Sequence, residues 1–209
     1  MLRKLLSRVS VVPVITIRDV AHAVPLAEAL CEAGLTVLEV TLRSAAALPA
    51  IEAMRRGVAE ATVGAGTFVM REQLAAAVAA GSQFLVSPGF SAALAVEARR
   101  AGVPLLPGVA TASELMAALE AGFDTLKFFP AEQTGGIAML KALAQPFPSV
   151  AFCPTGGITV HNAREYLAQP NVTAVGMSSV APAGLIEAGD FAGITALARI
   201  AVALKSRVG

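Results

Sequence analysis

Apolar and polar positions along this chain alternate between short apolar runs and longer Ala-rich stretches. Gly34, Gly57, Gly81, Gly102 and Gly122 each close an Ala-rich stretch and stand just before an apolar run. A glycine just past a helix end supplies the left-handed cap that β-branched residues adopt only at a cost. Strand, turn, helix and glycine within roughly 22 residues make one βα unit, and its repetition implies parallel strands joined by right-handed crossovers.

The apolar runs at 11–17, 37–42, 62–67, 84–88, 104–109, 125–129, 151–155 and 172–177 are predicted strands. Helices are expected between them, among them 22–33, 91–101, 111–121 and 161–168, with a last one over 191–205. Asp19, Thr111 and Thr159 are expected N-caps, and Pro25 is tolerated near a helix start because early amides lack partners there. Leu2, Leu5, Leu6 and Val9 fall at helical spacing and predict a short amphipathic leader helix packed on the body. Eight βα units point to one (β/α)8 TIM-barrel domain over residues 1–209, below the typical size of about 250 residues. An open doubly wound sheet is the competing architecture. No G-x-G-x-x-G follows the first strand, which weakens a dinucleotide-binding version of it.

Composition narrows the partners. A net charge of +1 leaves no basic stripe, so neither nucleic acid nor an anionic membrane surface is expected. No run reaches about 18 uninterrupted apolar residues and the start lacks a signal-peptide core, which predicts a soluble, cytoplasmic protein. Apolar residues make up 56% and charged ones 15%. The usual charged share is about 25%, so surface buried in an oligomer is expected. Cys31 and Cys153, the only cysteines, read as core residues in a reducing compartment. His22 and His161 lie far apart near helix starts, and no His, Cys or carboxylate set has zinc-like spacing, so no metal is expected. Acyl transfer lacks its usual signatures: there is no G-x-S-x-G elbow and no Cys/His pairing, and Cys153 has no histidine obviously close.

The conspicuous polar residue is Lys127, in the middle of the apolar run 125–129. An ammonium buried there must find a carboxylate or shift toward the neutral, nucleophilic amine, unless its stem packs while its head reaches solvent. Phe123, Phe128 and Phe129 nearby favour burial. In the second strand Val37, Glu39, Thr41 and Arg43 share one face and Leu38, Val40 and Leu42 the other. If the apolar set packs on helices, Glu39 and Lys127 approach each other inside the barrel and Arg43 stands at its mouth. Two readings stay open: an inert buried ion pair, or a lysine that attacks a ketone while the carboxylate shuttles protons. Other strand ends carry small residues and hydroxyls. Thr67 ends Gly64-Ala65-Gly66-Thr67, where small residues would let backbone approach a ligand, and Ser87-Pro88-Gly89 ends the fourth strand. Thr155-Gly156-Gly157 and Gly176-Met177-Ser178-Ser179 end the last two, where loop amides commonly cradle phosphate.

Five blocks in order, Glu39-Val40-Thr41-Leu42-Arg43, Gly64-Ala65-Gly66-Thr67, Ser87-Pro88-Gly89, Lys127-Phe128-Phe129-Pro130-Ala131-Glu132 and Phe152-Cys153-Pro154-Thr155-Gly156-Gly157-Ile158, resemble the 2-keto-3-deoxy-6-phosphogluconate (KDPG) and 4-hydroxy-2-oxoglutarate (KHG) aldolase family. The resemblance implies a cofactor-free, metal-independent class I aldolase. It would be a homotrimer of (β/α)8 barrels serving the Entner-Doudoroff pathway, with small-molecule partners: a phosphorylated keto-deoxy sugar acid and pyruvate. By the same resemblance Lys127 forms the Schiff base and Glu39 is the general acid/base. Arg43 and Thr67 hold the pyruvyl carboxylate, and Pro88 and Phe129 pack around it. Thr155 meets substrate hydroxyls, while Gly156, Gly157 and Ser178 receive the phosphate. One departure stands out: many members carry Gly-Gly-Ser-Trp where this chain has Gly176-Met177-Ser178-Ser179. Another is Thr16, where some relatives place an arginine, with Arg18 two positions on. The alternatives are an aldolase acting mainly on 4-hydroxy-2-oxoglutarate or another pyruvate-derived ketol acid, and a non-covalent sugar-phosphate isomerase or synthase or a ligand-binding barrel.

Overall fold

In a computed structural model, which describes residues 2–204, helix α1 (Leu2–Leu6) leads into an alternation of strands and helices. The strands are β1 (Val11–Ile15), β2 (Val37–Thr41), β3 (Thr62–Gly66), β4 (Leu85–Val86), β5 (Leu105–Leu106), β6 (Gly108–Val109), β7 (Thr125–Phe128), β8 (Ala151–Pro154) and β9 (Val175–Met177). The helices after α1 are α2 (Ala23–Glu32), α3 (Ala47–Gly57), α4 (Arg71–Ala79), α5 (Ala92–Arg100), α6 (Ala112–Glu120), α7 (Gly136–Ala144), α8 (Ala163–Leu167), α9 (Ala183–Glu187) and α10 (Phe191–Val202).

Every strand pairing is parallel. Six strands run in the order β5-β4-β3-β2-β1-β9 and three in the order β6-β7-β8, forming a curled parallel sheet with helices outside. Sheets of this kind are buried on both faces, which explains the near-continuous apolar strands. On the outer face Leu38, Val40, Leu126 and Phe128 join Leu26 and Leu30 of α2, Ile51 of α3 and Leu115 of α6. On the inner face Val12, Val37, Phe84, Val86, Leu106 and Cys153 form a second cluster, which Leu2, Leu6 and Val9 of the leader complete at the amino-terminal end of the strands. The leader helix therefore packs on the inner core.

The predicted strand 104–109 is two short ones because Pro107 lacks the N–H a ladder needs. Its carbonyl still takes the Lys127 amide at 2.9 Å, so the segment stays in the sheet. The run 84–88 forms ladder only at Leu85–Val86. The run 172–177 does so only at Val175–Met177, with Val172 reaching Phe152 through a single bridge. Gly34, Gly81, Gly102 and Gly122 adopt the left-handed cap, with φ of 96°, 88°, 69° and 84°. Gly57 does not. It is the last residue of α3, and a Cβ there would stand 2.9 Å from a Val24 methyl, so its small size serves helix packing.

Asp19 caps a 3-10 turn ahead of α2 by accepting the Ala21 amide at 2.9 Å. Thr111 forms a reciprocal capping box with Glu114. The hydroxyl of Thr159 accepts from His161 N, and helix α8 starts later than predicted, after Asn162. The predicted end of the last helix at 205 lies outside the described residues. No described helix is long and apolar enough to cross a membrane.

Candidate active site

Strand period decides which side chains meet. In β7 the outward packing of Leu126 and Phe128 turns Thr125 and Lys127 to the inner face. In β2 Leu38 and Val40 do the same for Val37, Glu39 and Thr41. The Lys127 ammonium donates to Glu39 Oε1 at 3.2 Å, and the two residues are only 4% and 2% exposed. The buried amine has found a carboxylate and does not reach solvent. Its Nζ also stands 5.2 Å from the centroid of Phe129, within cation–π range. The other two phenylalanines belong elsewhere. Phe128 packs edge-on to Phe152 in the outer core, and Phe123 pairs with Phe90 near Arg99.

The glycines of β3 also act differently from the expectation that they admit a ligand. A Cβ on Gly66 would stand 2.1 Å from Glu39 Oε1, and one on Gly64 would stand 2.6 Å from the ring of Phe84. Both make room for neighbouring side chains, and Gly66 thereby sets where the carboxylate can lie. Thr67 follows in the left-handed region, φ 66°, unusual for a β-branched residue, held by its amide to Val86 O at 3.0 Å.

Around this pair the other candidates stand at the carboxyl ends of the strands. Arg43, just past β2, is exposed, and its guanidinium has no protein partner among the described residues. Pro88 is half-buried after β4, its carbonyl 2.2 Å from where a Cβ on Gly108 would lie. Thr155 follows β8, donates to Cys153 O at 3.3 Å and bridges to Gly176, where a Cβ would meet its Oγ1 at 2.3 Å. That bridge brings the 155–157 and 176–179 loops together. Among the described residues no protein acceptor takes the amide hydrogens of Gly157, Ser178 or Ser179. Such unpaired amides suit an anion. Met177 is buried in the outer core, so this departure from the family pattern points away from the loops, whereas Ser178 and Ser179 are exposed there.

Sequence reasoning left Thr41 and Val14 without a role and gave Thr16 none beyond the missing arginine. The Thr41 hydroxyl donates to Ile15 O at 2.8 Å and lies 2.9 Å from that of Thr16. The period-two pattern Val12, Val14, Thr16 was the available signal. Arg18 leads outward to an ion pair with Glu187 at 2.5 Å and does not replace an arginine at position 16. Cys153 lies on the inner face beside Lys127. Burial pushes its thiol up to about 12, with the lysine charge opposing, so it stays protonated.

A lysine held against a carboxylate on the inner face of a parallel α/β sheet, below a mouth with an unpaired guanidinium and free amides, is the equipment of an enzyme that captures a carbonyl carbon through an amine. Residues 2–197 match the KDPG and KHG aldolase family. The chain is 50% identical to the 2-dehydro-3-deoxy-phosphogluconate aldolase of Pseudoalteromonas atlantica, covering 92% of this chain and 90% of the relative. It is 50% identical, with the same coverage, to the KHG/KDPG aldolase of Escherichia coli. A KDPG aldolase from Legionella pneumophila with pyruvate captured as a covalent carbinolamine superposes with a TM-score of 0.94 at 42% identity, over 97% of this chain and 98% of the other. One from Zymomonas mobilis with 3-phosphoglycerate gives 0.91 at 48% identity, over 97% and 96%. The chain belongs to the KDPG and KHG aldolase family; it is an aldolase, and so a lyase.

Proposed function

We propose that this chain is the class I aldolase that cleaves 2-dehydro-3-deoxy-6-phosphogluconate to pyruvate and D-glyceraldehyde 3-phosphate. The observation that carries this is the Lys127–Glu39 contact of 3.2 Å, buried on the inner face of the sheet. Lys127 passes a proton to Glu39 and its amine adds to the C2 ketone. Glu39 returns that proton to the carbinolamine hydroxyl, which leaves as water to give an iminium and restores the carboxylate. Glu39 then takes the proton of the C4 hydroxyl, and the C3–C4 bond breaks. Its electrons move into the iminium, leaving an enamine and releasing the aldehyde. Protonation at C3 and hydrolysis return pyruvate and the free amine. The carbinolamine in the Legionella relative supports the first step.

In this reading Arg43 and Thr67 fix the pyruvyl carboxylate, Arg43 by a charge-assisted pair, and Pro88 and Phe129 flank the three-carbon unit. Thr155 meets the hydroxyls, and Gly156, Gly157 and Ser178 take the phosphate. A phosphorylated three-carbon acid in the Zymomonas relative supports a phosphate end. The name of the Escherichia coli relative carries both substrates, which favours 4-hydroxy-2-oxoglutarate as a second one. Relative cleavage rates on the two ketol acids separate these.

The closed (β/α)8 barrel belongs to the same proposal, as one domain. It is supported by β5 and β6 flanking the single residue Pro107, and by the Phe152–Val172 and Thr155–Gly176 bridges from β8 toward β9. A homotrimer is supported by the apolar excess and by exposed Val69, Met70, Val96, Met116 and Ile200. A cytoplasmic site of action is supported by the reduced cysteines.

The test is incubation with pyruvate and borohydride, then peptide mass analysis. An adduct on Lys127, absent from Lys127→Ala, is expected. No adduct on the parent protein would reject the covalent route.

A further inference from the structure

The geometry points to Tyr166 and Glu132 as a latch that sets the shape of the 155–157 loop, which makes Tyr166 a positioning residue for the phosphate end of the substrate. The inference rests on the function proposed above. Neither residue belongs to the constellation around Lys127, and the loop they clasp carries the free amides.

Three successive carbonyls of that loop are held on the protein side. Ala131 N donates to Thr155 O at 2.8 Å, Glu132 N to Gly156 O at 3.1 Å, and Asn162 Nδ2 to Gly157 O at 3.1 Å. With the carbonyls engaged there, the Gly157 amide remains unpaired among the described residues, and Gly156 and Gly157 both adopt the left-handed region, φ 101° and 77°. The Glu132 side chain fills the space beside Gly157, where a Cβ would stand 2.5 Å from Glu132 Cγ. Its carboxylate accepts the hydroxyl of Tyr166, a fully buried side chain of α8, the helix that follows the loop. Room for the pair is kept at Gly136, the first residue of α7, where a Cβ would lie 3.0 Å from the tyrosine oxygen and 3.4 Å from Glu132 Oε1. Burial and the Glu132 carboxylate both push the phenol up, so it remains the donor throughout the working range.

The consequence is geometric. An anion is held well only by amides already aimed at it, since reorganising donors on binding forfeits affinity. Without the hydroxyl, Glu132 loses its anchor, and the contact that seats Gly157 loosens. Among the described residues the Lys127–Glu39 pair, on β7 and β2, shares no hydrogen bond or ion pair with this latch and keeps its geometry. A role confined to stability would lower the melting temperature and leave the ratio between substrates untouched.

Tyr166→Phe removes the donor and keeps the ring. The KM for the phosphorylated ketol acid is expected to rise about tenfold, the typical worth of one hydrogen bond to a charged group. Its kcat, and both constants for unphosphorylated 4-hydroxy-2-oxoglutarate, should stay within about twofold. Glu132→Gln, which keeps an acceptor, should show a smaller effect in the same direction, and Glu132→Ala the full one. The exposed Glu132 position gives the same readout if Tyr166→Phe does not fold. Equal changes for both substrates, or none for either, overturn the latch. Pyruvate trapping on Lys127 is measured in the same preparations, so failure of the covalent reading appears as lost trapping in the parent protein, independent of the substrate ratio.

Discussion

Gly66 and Glu39 share one space: the side chain that Gly66 lacks would sit 2.1 Å from the carboxylate oxygen that Lys127 holds. The second strand supplies the acid, and the third fixes where it can stand. A methyl at Gly66 must push Glu39 aside, because Gly66 lies inside the ladder, paired with Thr41 and Val86, and cannot retreat. Gly66→Ala is therefore expected to lower kcat about a hundredfold or more, the usual worth of a positioned acid/base. Borohydride trapping of pyruvate should persist more than turnover does. Steady-state cleavage and trapping on one preparation check this, and parent-like kcat would sever the link between Gly66 and Glu39.

Arg43 is a guanidinium without a partner among the described residues, beside the site proposed for a keto acid. Arg43→Ala is expected to raise the KM for substrate and the pyruvate concentration for half-maximal trapping by about tenfold to a hundredfold, as for loss of a charge-assisted pair. Folding stability should change little, because the side chain is exposed and touches no charged neighbour. Titrating the trapping yield against pyruvate reads the effect.

Cys153 predicts an alkaline limit to stability. Its thiol has an ordinary value of 9.0 and is raised to about 12 in the folded chain by burial. Between those values the unfolded state has lost the proton while the folded state still holds it, so stability is fully present below pH 9 and declines as pH rises toward about 12. The slope from this one group approaches about 1.4 kcal/mol per pH unit. Urea unfolding at a series of alkaline pH values should show the decline, and Cys153→Ala should make it shallower, with Cys31 and Tyr166, also raised by burial, supplying part of what remains. The native thiol should also resist iodoacetamide at pH 8 and react once unfolded. An identical slope in the alanine variant would remove the assignment.

Much of the site was legible because strand period is a strong signal. Two apolar residues flanking Glu39 and two flanking Lys127 were enough to turn both inward, from strands far apart in the chain. The helix ends before Gly34, Gly81, Gly102 and Gly122 were legible for the same kind of reason, since a left-handed cap has few occupants. Gly57 misled because the same residue also serves close helix packing, against Val24, and sequence does not say which. Gly64 and Gly66 misled in a similar way: what they accommodate is a phenylalanine and a glutamate from neighbouring strands, a relation set by register. Phe128 looked like a neighbour of the amine, yet adjacency in a strand places side chains on opposite faces. The Tyr166–Glu132 contact had no sequence signal at all, because it joins a 3-10 turn to a later helix.

The leader helix has a consequence for traffic. With Leu2, Leu6 and Val9 packed into the inner core at the amino-terminal ends of the strands, that side of Lys127 is filled by side chains. In the proposed reaction the aldehyde, held nearer the carboxyl ends of the strands, then departs ahead of the three-carbon unit still joined to Lys127.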